Sequence, residues 1–293
     1  MHVTKSVLTN LLRNLIISVE SHTEKFSTLS LPVQRKAVLL PTNLSSYYQQ
    51  HFLKSNMAED AEAGKIAAAN RAVDENIEQG QVVGIGSGST IVFAVKRIAE
   101  RNKHANLNLV CIPTSFQARQ LIAEHGLTLG SLETSPVINV AIDGADEVDD
   151  NINLIKGGGG CLMQEKIIAS CAKKLFIIAD NRKNSKVLGT TWKKGIPIEI
   201  LPMAYKPLQL KIMELLGGNA QLRMAARKAG PVVTDNGNFL IDWMFDGEQD
   251  WDHVNKTILN LPGVIETGLF LNMTTAAYFG SPDGSVVVRK QNA

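Results

Sequence analysis

Five carboxylates fall within eight residues, at Asp143, Asp146, Glu147, Asp149 and Asp150. Lys156 follows, then four consecutive glycines from Gly157 to Gly160, then Glu165. Acids, a fixed cation and a glycine backbone at this spacing could hold a metal ion, move protons or form a solvated turn. Spacing argues against the metal. The run does not match the D-x-D-x-D-G calcium loop, and no nearby histidine favours a transition metal. Asp143 directly follows the apolar run "VINVAI", where a carboxylate is costly unless it has partners. Gly144 beside it permits a close backbone approach. Asp143 and Asp146 are therefore candidates for handling hydroxyl protons of a ligand, whereas Glu147, Asp149 and Asp150 read as a solvated turn. Four glycines cost conformational entropy that a plain loop rarely spends. Gly157, Gly158 and Gly159 can instead lie against a ligand and donate N–H groups, with Lys156 adding positive charge at the same place. Glu165 reads equally well as an acid/base group and as a first-turn carboxylate favoured by the helix dipole.

A second candidate is "GIGSGST", Gly84 to Thr90. The glycines allow a sharp turn, and a following helix would aim its free N–H groups back at it. Ser87, Gly88, Ser89 and Thr90 then form an anion cradle that suits a phosphate. Ser89 stands where the dinucleotide fingerprint needs its third glycine, and no lysine follows as in a nucleotide P-loop. A small monophosphate fits better than a dinucleotide, although a tight strand-to-helix turn with a capping serine is nearly as good a reading.

These loops need elements to position them. Ile66, Ala69, Val73 and Ile77 recur at helical spacing and Gly80 ends the run. "QVVGIGSG" reads as a buried strand, Ile91, Val95 and Ile98 as a helix, "LNLVCI" as a strand, and Ser115 to His125 as a helix closed by Gly126. "VINVAID" and "LFIIAD" read as strands ending at Asp143 and Asp180, with a helix over Leu162 to Lys174 between them. Alternating strands and helices predict an α/β fold with a parallel sheet covered on both faces. Ligands bind beyond the carboxyl ends of such strands, so the loops at Gly86, Asp143 and Asp180 can line one crevice. After Trp192, "IPIEILPMA", "YKPLQLKIMELLGG", "GPVVTDNGNFLIDWMF" and "VNKTILNLPGVIETGLF" predict the order β-α-β-β-α-β. The third of these reads as two strands around an Asn-Gly turn. A small second domain over 196–270 follows, leaving 57–195 as the main domain, completed by 271–293 with "GSVVVRK" as a final strand.

The 293 residues carry a formal net charge of +2, with 44% apolar and 20% charged residues. That is a globular balance without a basic stripe for nucleic acid and without a run long enough to span a bilayer. Cys111, Cys161 and Cys171 show no paired framework, which suits a reduced compartment and no structural zinc. Residues 1–56 differ. They are rich in Ser and Thr, carry Lys5, Arg13, Lys25, Arg35 and Lys36 against Glu20 and Glu24, and include "VLTNLLRNLIISV". That bias reads as an unstructured extension or a transit-like segment, so the expected location is cytoplasmic, with mitochondria or a plastid as the alternative.

"GIGSGST", "AIDGADEVD", "LIKGGGG", "QEKIIA", "IADNRK", "PIEILPMA", "VVTDNGN" and "LPGVIETGLF" occur in the order in which they stand in ribose-5-phosphate isomerases of the A type. The chain resembles that family from about Glu62 to its carboxyl end. The resemblance implies a Rossmann-like α/β domain with a small ferredoxin-like α+β domain. It implies interconversion of ribose 5-phosphate and ribulose 5-phosphate in the non-oxidative pentose phosphate pathway, without metal or cofactor, in a homodimer or higher homo-oligomer. It also implies that Glu165 is the proton acceptor. The substrate loops fall on Ser87 to Thr90, on Asp143, Gly144, Ala145 and Asp146, and on Lys156 to Gly159. A basic residue falls on Lys183, and a first-helix lysine that approaches the phosphate falls on Lys65.

Other chemistries compete. An amino-sugar phosphate deaminase would call for a histidine in the acid/base loop, and none occurs between His125 and His253. A coenzyme A transferase would use its glutamate as a nucleophile, and a Schiff base would form at Lys156. A sugar-phosphate-sensing regulator would carry a helix-turn-helix, for which the amino-terminal residues show no pair of helices.

Overall fold

The computed structural model describes residues 43–290, with side chains from Glu59 onward. The amino-terminal reading therefore lies largely outside the described residues. The described part of that segment is helical, because the first helix, α1, runs Asn43–Asn76. Its buried stripe is made of small residues, Ala68, Ala69, Ala72 and Val73. Ile66, expected on that stripe, is 37% exposed.

The chain continues β1 (Val82–Ile85), α2 (Ile91–Ala105), β2 (Val110–Pro113), α3 (Phe116–Glu124), β3 (Thr128–Leu129), β4 (Val140–Asp143), β5 (Glu147–Val148), β6 (Leu154–Ile155), α4 (Leu162–Cys171) and β7 (Leu175–Asp180). Then come β8 (Ile196–Ile200), α5 (Tyr205–Leu216), β9 (Asn219–Leu222), β10 (Phe239–Met244), α6 (Trp251–Leu259), β11 (Val264–Thr267), β12 (Leu269–Phe270), β13 (Ala276–Gly280) and β14 (Val286–Lys290). Seven strands form one sheet in the order β14-β13-β7-β4-β1-β2-β3. All pairs are parallel except β13 with β14, which closes the edge as an antiparallel hairpin. Alternate residues face opposite ways. Ile142, Phe176 and Ile178 meet the alanine stripe of α1 and the Val95 and Ile98 face of α2. Ala141, Ile177 and Ala179 meet Ile168 and Ala169 of α4 on the other side. Every residue of β7 is buried, as a parallel strand covered on both faces requires.

A second sheet takes the order β11-β8-β10-β9, all antiparallel, with α5 and α6 packed through Leu208, Ile212, Val254 and Ile258. The expected hairpin around Asn236 and Gly237 is not formed as two ladder strands. β10 pairs instead with β9, and the segment before the turn returns to Arg223 and Met224. Polar Asn219 and Gln221 hid β9, in which Ala220 alone is buried. Three short strands, β12-β6-β5, join the region of both sheets. Among the described residues, no helix is long and apolar enough to cross a membrane.

Candidate active site

In the seven-stranded sheet the chain leaves β1 toward β2 and β3 on one side, and β4 continues to β7 on the other. The loops after β1 and β4 therefore diverge, and a crevice opens between them beyond the strand ends. A cavity of about 270 Å³ occupies it.

One end of the cavity is built for an anion. Gly88 has φ of 103° and gives its N–H to Gln117 Oε1 at 2.8 Å. Thr90 stands at the N-cap of α2 without a side-chain bond to the helix, leaving the first-turn N–H groups uncapped by it. Lys65 Nζ donates to Ser89 Oγ at 2.9 Å, which puts α1's cation on this loop. The Ser87 hydroxyl, expected as a ligand donor, is already engaged with Thr114 Oγ1 at 2.8 Å and Ser115 Oγ at 2.6 Å. Lys183 reaches the cavity with its Nζ 5.6 Å above the Trp192 ring. Arg182 is tied to Asp180 at 2.6 Å. Burial pushes the Asp180 carboxyl up, but that guanidinium holds it below the usual carboxylate range.

The other end is acidic and buried. Lys156 Nζ donates to Gly144 O at 2.6 Å, pairs with Asp143 Oδ2 at 3.0 Å and stands 3.3 Å from Glu165 Oε2, 5.4 Å above the Phe270 ring. Asp143 lies behind this ammonium rather than on the cavity wall. Its Oδ1 accepts the N–H groups of Ser87 at 3.1 Å and Gly144 at 2.7 Å. Asp143, expected to face ligand hydroxyls, stands at the deep end of β4 at 3% exposed and reaches the cavity only through Lys156 in this structure. Gly86 makes room for it, since a Cβ there would overlap the Asp143 carboxylate. Asp146 does line the cavity. It accepts the Gly158 N–H at 2.6 Å, so that glycine braces the loop while Gly157 and Gly159 line the wall.

Glu165 is 5% exposed, in the first turn of α4. Its approach to Lys156 has the distance of an ion pair but not the angle of a hydrogen bond, so Oε2 has no hydrogen-bond partner among the described residues. Burial and the neighbouring Asp143 carboxylate push Glu165 up to about 8, against the pull of Lys156. Burial also raises Asp143. Lys156 loses solvation by burial, but Asp143 and Glu165 together hold it above the ordinary lysine value. One ammonium thus serves two carboxylates, and the second keeps its proton near neutrality. A carboxyl raised in the folded state contributes stability in full below its unfolded value near 4.5, and that contribution is lost as pH rises through about 8. Glu165→Gln is therefore expected to melt several degrees above wild type at about pH 9 and level with it near pH 4.5, by calorimetry at both values.

The solvated tail is not what folds. Glu147 is fully buried and accepts the N–H groups of Gly189 and Thr191, both at 2.6 Å. Asp149 is 5% exposed and accepts the Asn153 N–H at 2.8 Å. Only Asp150 of that trio is exposed. Sequence reasoning also missed Gln117 and Cys161 on the cavity wall. Burial pushes the Cys161 thiol up to about 12, so it stays neutral. Among the described residues, no cluster of three or more His, Cys, Asp or Glu side chains is placed to hold a metal ion.

The family model for ribose 5-phosphate isomerase A (phosphoriboisomerase A) matches residues 110–284. The chain is 59% identical to ribose-5-phosphate isomerase of Sus scrofa over 81% of its own length and 77% of that protein's. It is 53% identical to the Dictyostelium discoideum isomerase, over 77% of the chain and 97% of the relative. A D-ribose-5-phosphate isomerase solved in complex with phospho-erythronic acid superposes with a TM-score of 0.75 at 38% identity, over 79% of this chain and 99% of that one. The Plasmodium falciparum ribose 5-phosphate isomerase gives 0.75 at 34% identity, over 79% and 100%. An acid–ammonium–acid cluster facing an anion cradle in one α/β crevice agrees with these matches, and the chain belongs to the ribose 5-phosphate isomerase A family, as an enzyme that isomerises ribose 5-phosphate.

Proposed function

We propose that the chain interconverts ribose 5-phosphate and ribulose 5-phosphate through a cis-enediolate, in the non-oxidative branch of the pentose phosphate pathway, with Glu165 carrying the proton between carbons 2 and 1. The carrying observation is the buried Glu165 carboxyl on the cavity wall, whose Oε2 stands beside the Lys156 ammonium and has no hydrogen-bond partner among the described residues. An acid/base group needs a free oxygen and a pKa near the working pH. The phosphate belongs at the other end, on the amides of Ser89 and Thr90 with Lys65 and Lys183. That separation lets binding energy from the phosphate hold the reacting carbons against Glu165. The phospho-erythronic acid in complex with a structural neighbour supports a phosphorylated sugar acid, and so a sugar phosphate, as the kind of ligand this site takes.

Each remaining role follows from reach. Ribose 5-phosphate is mostly a closed ring and must open first. Lys156 is the polar group the cavity exposes there, and Asp143 backs it at 3.0 Å, so the pair handles the ring-opening protons. Asp146 orients the hydroxyls at carbons 2 and 3. As charge builds on the carbonyl oxygen, Lys156 and the N–H groups of the glycine loop stabilise it without having to reorganise. The large sheet reads as Rossmann-like. The β8-α5-β9-β10-α6-β11 unit, with its order β11-β8-β10-β9, supports a ferredoxin-like reading.

The base works ionised, so kcat/KM should rise with pH and level off above about 8, where Glu165 has lost its proton. The check is a ketose absorbance assay with ribose 5-phosphate from pH 7 to pH 9. A flat profile across that window would sink the assignment of Glu165 as base.

A further inference from the structure

The glycine loop does not hold itself in place. Gly157 and Gly160 have φ of 100° and 84°, and every described peptide is trans. In a trans peptide the carbonyl and the next N–H point in opposite directions. Arg223, which follows β9, reaches across from the four-stranded sheet. Its Nη1 donates to Gly157 O at 2.9 Å and to Gly158 O at 3.2 Å. Both peptides it grips therefore turn their N–H groups away from it. The Gly158 N–H, opposite the Gly157 carbonyl, goes to Asp146. The Gly159 N–H, opposite the Gly158 carbonyl, has no acceptor among the described residues, and Gly159 lines the cavity.

The guanidinium is itself fixed. Its Nε donates to Asp242 Oδ2 at 2.8 Å and its Nη2 to Asp242 Oδ1, a bidentate pair on β10. Both side chains are largely buried, at 16% and 19% exposed. Two of the three guanidinium nitrogens are thus spent on Asp242 and the third on the loop. A lysine, with a single compact ammonium, cannot satisfy both.

We propose that Arg223, anchored by Asp242, is a positioning residue for the isomerisation. By drawing the Gly158 carbonyl toward the four-stranded sheet it turns the Gly159 N–H onto the substrate oxygen that becomes negative in the enediolate. This rests on the reading that the glycine loop faces the reacting end of the sugar. The phosphate loop, on the far side of the cavity, has no contact with Arg223. Loss of the residue should therefore weaken the transition state and leave phosphate recognition alone.

The test uses the full chain with Arg223→Lys. Expected are a kcat lower by about 10- to 100-fold, below or at the loss seen when one oxyanion donor is removed outright, with KM and the inhibition constant of inorganic phosphate within twofold of wild type. Affinity for phospho-erythronic acid should fall with kcat. A kcat within twofold of wild type would overturn the inference, as would a parallel loss of inorganic phosphate binding, which marks a general loosening. Should the lysine variant not fold, Asp242→Asn keeps the guanidinium and removes its anchor. It should lower kcat about 3- to 10-fold with phosphate inhibition unchanged, and an unchanged kcat there overturns the inference equally. Glu165→Gln run alongside separates the two levels: full activity in Arg223→Lys beside an inactive Glu165→Gln defeats this inference alone, whereas an active Glu165→Gln defeats the reading beneath it.

Discussion

Glu165→Gln is expected to lose about 10²- to 10⁴-fold in kcat, the range that positioned proton transfer contributes, while inorganic phosphate and phospho-erythronic acid still bind. The substitution keeps the volume and the place in the first turn of α4, so the cavity should keep its shape. It also removes a carboxyl that burial and Asp143 hold up at about 8. Cys161 is the next residue with a transferable proton on that side, and its thiol is held up at about 12. Lys156 is no substitute base, because the two carboxylates that face it hold it protonated in the resting site. Steady-state kinetics with ribose 5-phosphate, paired with phosphate inhibition, is the check. Turnover within a few fold of wild type would remove Glu165 from the chemistry.

Lys156→Met should be the most damaging single change to stability as well as to turnover. The ammonium is 3% exposed and is the only cation paired with Asp143 among the described residues. Breaking a buried pair by removing one partner costs about 3–5 kcal/mol, because the other charge stays behind. The pH dependence follows from Asp143, already raised by burial. Without Lys156 it rises further, so the deficit should be largest at neutral and alkaline pH and shrink as pH falls toward the unfolded aspartate value near 3.8, where the group is protonated in both states. Urea unfolding at pH 5 and pH 8 would show it. Adding Asp143→Asn should recover much of the stability at pH 8 and none of the turnover, since the pair is coupled in folding but Lys156 alone faces the cavity. Equal stability of wild type and Lys156→Met at pH 8 would contradict the account.

What could be read from the sequence depended on whether a signal was local. The strands of the large sheet are short apolar runs ending in polar residues, and their ends converge at Gly86, Asp143 and Asp180 as alternating β and α elements require. The Lys156–glycine loop and Glu165 were visible because residue type alone is costly without a use. Residues whose partners are remote in the chain were read less well. Glu147 and Asp149 looked solvated because their neighbours are acidic, and only the fold supplies the Gly189, Thr191 and Asn153 N–H groups that bury them. Arg223 sits in a strand-end segment without any pattern, and its link to the loop exists only once β9 and β10 are paired. Lys65 was placed by resemblance, since a lysine on a polar helix face carries no mark of its use until α1 is laid against the Ser89 loop. β9 was missed for the opposite reason: an edge strand with polar Asn219 and Gln221 lacks the apolar density that marks a strand.

The central claim is that the proton between carbons 1 and 2 travels through Glu165. It is tested most directly by incubating sugar phosphate with enzyme in deuterium oxide and following solvent deuterium at those carbons by NMR, for wild type and for Glu165→Gln. Wild type is predicted to incorporate deuterium during turnover, and the variant to lose that exchange by at least about a hundredfold while still binding the ligand. Exchange in Glu165→Gln at close to the wild-type rate would show that another group carries the proton.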